Sequence, residues 1–129
     1  MTVTQGRPDF AAHTKAVRAS FPEVVSELRA VLGARLVAYL GSVGETRAVR
    51  QWADGDREPG EDIRNRLRVA LQVALPLAEA ESPQIAQAWF QGLNPQLNDR
   101  SPARILREGE LEEVGPSVIA AARAFLIGG

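Results

Sequence analysis

The 129-residue chain contains no cysteine, which rules out disulfides and thiolate metal sites. Histidine occurs once, as His13, so neither a nucleophile–histidine relay nor a multi-histidine metal site is expected. No apolar run approaches the roughly 20 residues of a membrane-spanning helix. The opening segment MTVTQGRPDF has no apolar stretch behind a basic cluster, so it does not read as a secretory signal, and a cytoplasmic location with no membrane contact is expected. Gly41 and Gly44 are not followed by the Lys-Ser/Thr of a phosphate-cradling loop. Internal repeats and low-complexity tracts are absent. No cofactor and no catalytic residue is therefore expected.

What is present is ordinary globular composition, 45% hydrophobic and 24% charged. It suits one compact domain or two small helical halves on a shared core. The net charge is −1, but it is unevenly spread. Residues 1–75 carry eleven basic and nine acidic side chains, and residues 76–129 carry four and seven. This balance excludes a non-specific nucleic-acid coat protein while leaving room for a reader with a local basic face. Apart from Lys15, every basic residue is arginine. Arginine suits bidentate contacts to phosphate, guanine or carboxylate; GC-rich coding would give the same surplus.

Helix signals dominate the chain. Asp9 is placed to cap a short helix running to about residue 19. Ser20 and Glu23 form a capping-box pattern around Pro22, and Val24, Val25, Leu28, Val31 and Leu32 then share a face up to Gly33. Leu36, Val37 and Leu40 lead into Gly41-Ser42-Val43-Gly44, and a second short helix is predicted over 45–53, with Ala48, Val49 and Trp52 inward. A long helix is predicted over 61–80, kinked or cut short by Pro76. Ser82-Pro83 opens the next helix, which Gly92 and Asn94-Pro95 break. Ser101-Pro102 starts a short one closed by Gly109, and the last covers about 110–127, with Gly115-Pro116 as a point where it splits. The fold expected is all-α.

Residues 35–53 read as helix, glycine-containing turn, helix, an arrangement that lays the second helix in a major groove. With Val49 and Trp52 inside, Thr46, Arg47, Arg50 and Gln51 face outward. Arginine forks onto guanine, glutamine pairs with adenine, and threonine touches phosphate or a thymine methyl. Arg57, Arg64 and Arg68 are placed to clamp backbone phosphates, whereas Glu45 and Asp54 at the ends of the helix repel them. Two amphipathic helices with solvated arginines would leave the same pattern. The carboxylates of Glu108, Glu110, Glu112 and Glu113 complement a helix dipole better than they build an acid–base pair.

Residues 89–114, WFQGLNPQLNDRSPARILREGELEEV, resemble the toxin-binding domain of Xre/MbcA/ParS-type antitoxins in the spacing of Trp89, Asn94, Leu97, Pro102, Leu106, Gly109 and Val114. The stretch LVAYLGSVGETRAVRQWADGDREP resembles the Xre-like helix-turn-helix of the same proteins, with Val49-Arg50-Gln51-Trp52 matching the Val-x-x-Trp end of their reading helix. Together the resemblance spans about residues 34–126. It implies a helical extension over 1–33, a DNA-binding region with a long connecting helix over 34–80, and a partner-binding region over 81–129. It implies an antitoxin that binds and neutralises a RES-type, NAD-consuming toxin, represses its own operon, and works as a homodimer on operator DNA.

Asn94-Pro95 and Ser101-Pro102 set two corners of a displayed loop. Its partner-facing residues are expected to be Phe90, Asn94, Gln96, Leu97, Asn98 and Arg100, with Arg104 beyond. Trp89 is assigned to the core and Phe90 to the surface. The interrupted last helix and the short tail after Leu126 depart from the family pattern. They favour a stand-alone helix-turn-helix regulator as one alternative to the antitoxin. The near-neutral charge, with Glu45 and Asp54 around the reading helix, favours another, an interaction module that has lost DNA binding.

Overall fold

The structure, a computed structural model, describes residues 8–128, with side chains from residue 11 onward. Among the described residues eight α-helices form one all-α domain: α1 (Pro8–Arg18), α2 (Phe21–Leu32), α3 (Ala34–Leu40), α4 (Thr46–Asp54), α5 (Glu61–Ala80), α6 (Pro83–Gln91), α7 (Pro102–Glu108) and α8 (Leu111–Gly128). A 3-10 turn, Pro95–Leu97, joins α6 to α7, and the described residues contain no strand. No described helix is long and apolar enough to cross a membrane.

The chain winds around α5. Its buried stripe of Leu67, Ala70, Leu71, Val73, Ala74 and Leu77 meets α1 and α2 on the N-terminal side and α6 and α8 on the other. α2 starts at a complete capping box. The Ser20 hydroxyl accepts from Glu23 N–H at 3.3 Å and the Glu23 carboxylate accepts from Ser20 N–H at 2.9 Å. The Ser20 N–H bond to the carboxylate, with a smaller contribution from the Ser20 hydroxyl beside it, holds the Glu23 carboxyl below its ordinary range. Phe21, Val24, Val25, Leu28, Val31 and Leu32 then line the inward face. Gly33, at φ 88°, ends the helix in a backbone region that disfavours a side chain.

Both internal prolines behave differently from their sequence reading. α5 runs through Pro76 to Ala80, because Pro76 is buried and the segments on either side of it are held by packing rather than by propensity. α8 runs unbroken through Gly115-Pro116. Pro116 lies early in the helix, where it removes one backbone bond, and the Ser117 hydroxyl donates back to the Glu113 carbonyl at 3.5 Å. Gly115 is buried against Leu111 and Val69 of α5. α1 begins at Pro8, so Asp9 sits inside the first turn rather than capping it, and its side chain lies outside the described residues.

α1 is fastened to the core from beneath. Ala12 and Ala16 are buried, and the Arg68 guanidinium of α5 donates to the carbonyls of Ala16 at 2.8 Å and Ala19 at 2.7 Å. Those are carbonyls at the end of α1, where no intrahelical partner remains. The exposed Lys15–Glu27 pair at 2.8 Å adds a weak tie to α2. Arg68→Ala leaves the buried carbonyls short of a charged donor, at a cost of about 1–3 kcal/mol. Hydrogen exchange should accelerate across α1 while the centre of α5 keeps its protection; equal acceleration in both would refute a local role for Arg68.

Candidate nucleic-acid interface

The orientation of α4 is set by three residues. Ala48, Val49 and Trp52 are buried, Val49 at 0% exposure and Trp52 at 2%. The indole stands 6.3 Å from the Phe21 ring at 59°. On its other side it lies against the bare backbone of Gly41, where an added Cβ would fall 2.7 Å from a ring carbon. Among the described residues the Trp52 indole N–H has no acceptor, so the side chain is held by shape alone.

Between α3 and α4 the turn is tight. Gly41 N–H donates to the Val37 carbonyl at 2.8 Å and Val43 N–H to the Ala38 carbonyl at 3.0 Å, while Ser42 takes φ 59°. Two arginines brace it from behind. Arg66 of α5 donates to the Leu40 carbonyl at 2.8 Å and to the Ser42 hydroxyl at 3.0 Å. Arg107 of α7 donates to the Tyr39 carbonyl at 3.2 Å and lies 4.5 Å over the Tyr39 ring. Burial pulls the Arg66 guanidinium below its ordinary pKa, and the charge of Arg107 adds to this; the group remains protonated at any physiological pH. Glu108, Glu110 and Glu112 rim a polar hollow of about 470 Å³ shared with these two arginines and Asp62.

With its inner face buried, α4 exposes Thr46, Arg47 and Arg50. Neither arginine has an ion pair or hydrogen bond among the described residues. Gln51 is half-buried, and its side-chain oxygen accepts from Arg57 at 3.2 Å, so those two side chains are tied to each other. Of the three expected phosphate clamps, Arg64 donates to the Pro59 carbonyl at 2.7 Å and faces Glu58 at 3.8 Å. Arg68 is committed to α1. The structure thus brings Thr46, Arg47, Arg50, Gln51 and Arg57 to one surface and gives Arg64 and Arg68 fastening work instead. α4 is flanked by two hollows. One, of about 500 Å³, is lined by Glu45, Arg47, Gln51 and Arg57 among others. The second, of about 480 Å³, is lined by Arg29, Ala34, Thr46, Arg47 and Arg50. Arg29, on the last turn of α2, carries no sequence motif that marks it; only the fold brings it beside α4.

A second constellation lies at the 93–100 loop. The Asn94 carbonyl accepts from the Leu97 and Asp99 N–H groups, both at 2.9 Å. Its own N–H donates to the Arg100 carbonyl at 3.2 Å, and its side chain accepts from Gln96 N–H at 2.9 Å. Asn98 and Asp99 both adopt left-handed φ, 58° and 59°, as short polar side chains tolerate. Leu97, expected on display, is 4% exposed and plugs the loop from inside. Phe90, expected at the surface, is fully buried, while Trp89 is half-buried and meets it edge-on at 5.5 Å. The reason is the rotation of α6. Ala86 and Phe90, four apart, face inward, and Gln87 donates to the Val31 carbonyl of α2 at 2.8 Å. Gln96, Asn98, Arg100 and Arg104 remain exposed, Asn94 is half-buried, and Leu93 stands out at 77%.

Comparison with family models, with curated proteins and with solved structures finds no match for this chain.

The contact between Gly41 and Trp52 is testable. Gly41→Ala forces its methyl into the indole and should destabilise by about 1–3 kcal/mol, as overpacking does. The measurement is the midpoint of urea unfolding; an unchanged midpoint would show that the indole is not held against this backbone.

Proposed function

We propose that this protein is a sequence-reading DNA-binding regulator of the antitoxin type, with α3, the glycine turn and α4 acting as its helix-turn-helix. One observation carries the reading. Ala48, Val49 and Trp52 of α4 are buried to 6% exposure or less, while Arg47 and Arg50 stand exposed and unpaired among the described residues. Solvated cations on a short helix braced from behind are what a major groove accepts: guanidinium groups in reach of guanine edges, and a threonine at the helix start for backbone or methyl contact. Gln51 can read adenine once Arg57 lets go of its oxygen. Two copies, each offering one α4, would match a two-fold operator with half-sites one helical turn apart.

The antitoxin half of the proposal places the partner on the 93–100 loop and α7. Supporting it are a rigid hydrogen-bonded ring centred on Asn94, the exposed Leu93, and Arg100 and Arg104 beside them. The continuity of α8 removes one of the two departures from the family pattern. The partner proposed is a RES-type, NAD-consuming enzyme, held with its pocket blocked.

Two experiments separate the halves. Arg47→Ala with Arg50→Ala should weaken binding to the DNA upstream of its own gene by about 5- to 160-fold per side chain, from about 1–3 kcal/mol per base contact. The circular-dichroism spectrum should not change. Wild-type affinity in the double variant would end the DNA-reading proposal. For the partner, co-expression with a neighbouring RES-type enzyme should yield a complex and rescue growth, and Leu93→Asp should break the complex while leaving DNA binding intact. No complex and no rescue would reduce the protein to a stand-alone regulator.

A further inference from the structure

We propose that the hollow between α2 and α4 is the seat of a DNA backbone phosphate, and that Arg29 is its sequence-independent clamp. This rests on the DNA-reading proposal above and adds to it the place where the duplex backbone is gripped. The two hollows beside α4 are close in size, about 500 and 480 Å³, but they differ in charge. In the first, Glu45 shares the lining with Arg47 and Arg57, and the Arg57 guanidinium already bonds Gln51. A phosphate there meets a carboxylate and a donor in use. The other hollow has Arg29, Arg47, Arg50, Thr46 and Ala34 in its lining and no carboxylate at all. None of its three guanidinium groups makes a hydrogen bond or ion pair among the described residues.

Three like charges around one concavity repel one another and gain by taking in an anion. Guanidinium pairs with phosphate bidentately. The geometry also assigns the division of labour. Arg47 and Arg50 ride on the helix that enters the groove. Arg29 sits on α2, outside the groove, half-buried and anchored at its backbone by the Gly33 N–H at 2.9 Å. A cation fixed to the helix behind the reader reaches the strand bordering the groove rather than the bases inside it. The phosphate clamps expected from sequence, Arg64 and Arg68, are occupied by carbonyls, and Arg29 fills the role they leave.

The test is fluorescence anisotropy with labelled duplexes from 50 to 200 mM salt, comparing wild type, Arg29→Ala and Arg29→Lys. One duplex carries the DNA upstream of its own gene and another is unrelated in sequence. A single phosphate contact contributes about 0.9 to the slope of log K against log salt. The affinity ratio of wild type to Arg29→Ala should therefore shrink by about 3.5-fold over that range. It should shrink alike for both duplexes, leaving the specificity ratio unchanged, and Arg29→Lys should recover most of the slope. Inorganic phosphate added at constant ionic strength competes if the hollow prefers a free anion, and competition at millimolar concentration would overturn a duplex-specific seat. An unchanged slope in Arg29→Ala, or a loss confined to one duplex, would overturn the clamp while the DNA-reading proposal stands. Absence of duplex binding by the wild type overturns both.

Discussion

The indole of Trp52 lies between the ring of Phe21 and the bare backbone of Gly41, and the attitude of α4 follows from that contact. A helix of nine residues is too short to persist in water by its own hydrogen bonds. It exists here because Ala48, Val49 and Trp52 are taken into the core between α2 and α3. Removing a buried tryptophan costs about 3–5 kcal/mol, a large fraction of the stability of a domain this size. Once the three apolar residues are inside, helical geometry leaves Arg47 and Arg50 no direction but outward. The exposed cations on α4 are thus a by-product of an apolar contact on its far side.

Arginine does two physically distinct things in this molecule. Arg64, Arg66, Arg68 and Arg107 are part-buried and donate to main-chain carbonyls of loops or helix ends. They satisfy acceptors that helical bonding leaves open, and Arg66, Arg68 and Arg107 tie elements far apart in the chain: α5 to the turn, α5 to α1, α7 to α3. Arg29, Arg47 and Arg50 are without such partners among the described residues. Burial and proximity to a carbonyl separate the two groups, and neither is visible in the residue type.

Local features of the fold were legible from the residues. The capping box at Ser20 and Glu23, the stop at Gly33, the serine–proline starts of α6 and α7, and the inward triad of α4 all depend on neighbours within four positions. What escaped depends on distant partners. Pro76 reads as a kink or early stop and Gly115-Pro116 as a split, yet tertiary packing carries α5 and α8 through them. In α6 the pairs Ile85–Trp89 and Ala86–Phe90 have the same spacing, so periodicity alone does not choose between them. Gln87 reaching the Val31 carbonyl of α2 goes with the second, which buries Phe90 and leaves Trp89 at the edge. Leu97 reads as a displayed residue from its place between the Asn94-Pro95 and Ser101-Pro102 corners, whereas the folded loop closes over it as an apolar plug. Arg29 carries no local signal either: its relation to α4 is made only by folding.

The two tryptophans occupy opposite environments in different parts of the molecule. Trp52 is enclosed by apolar atoms, its indole N–H without an acceptor among the described residues, and Trp89 is partly wet at the margin of α6. Indole emission tracks local polarity, so the chain carries two intrinsic optical labels of distinct colour, one on the α2–α4 nest and one near the 93–100 loop. With Tyr39 the sole tyrosine, little other emission obscures them, and loosening of either region can be watched separately without attaching any dye.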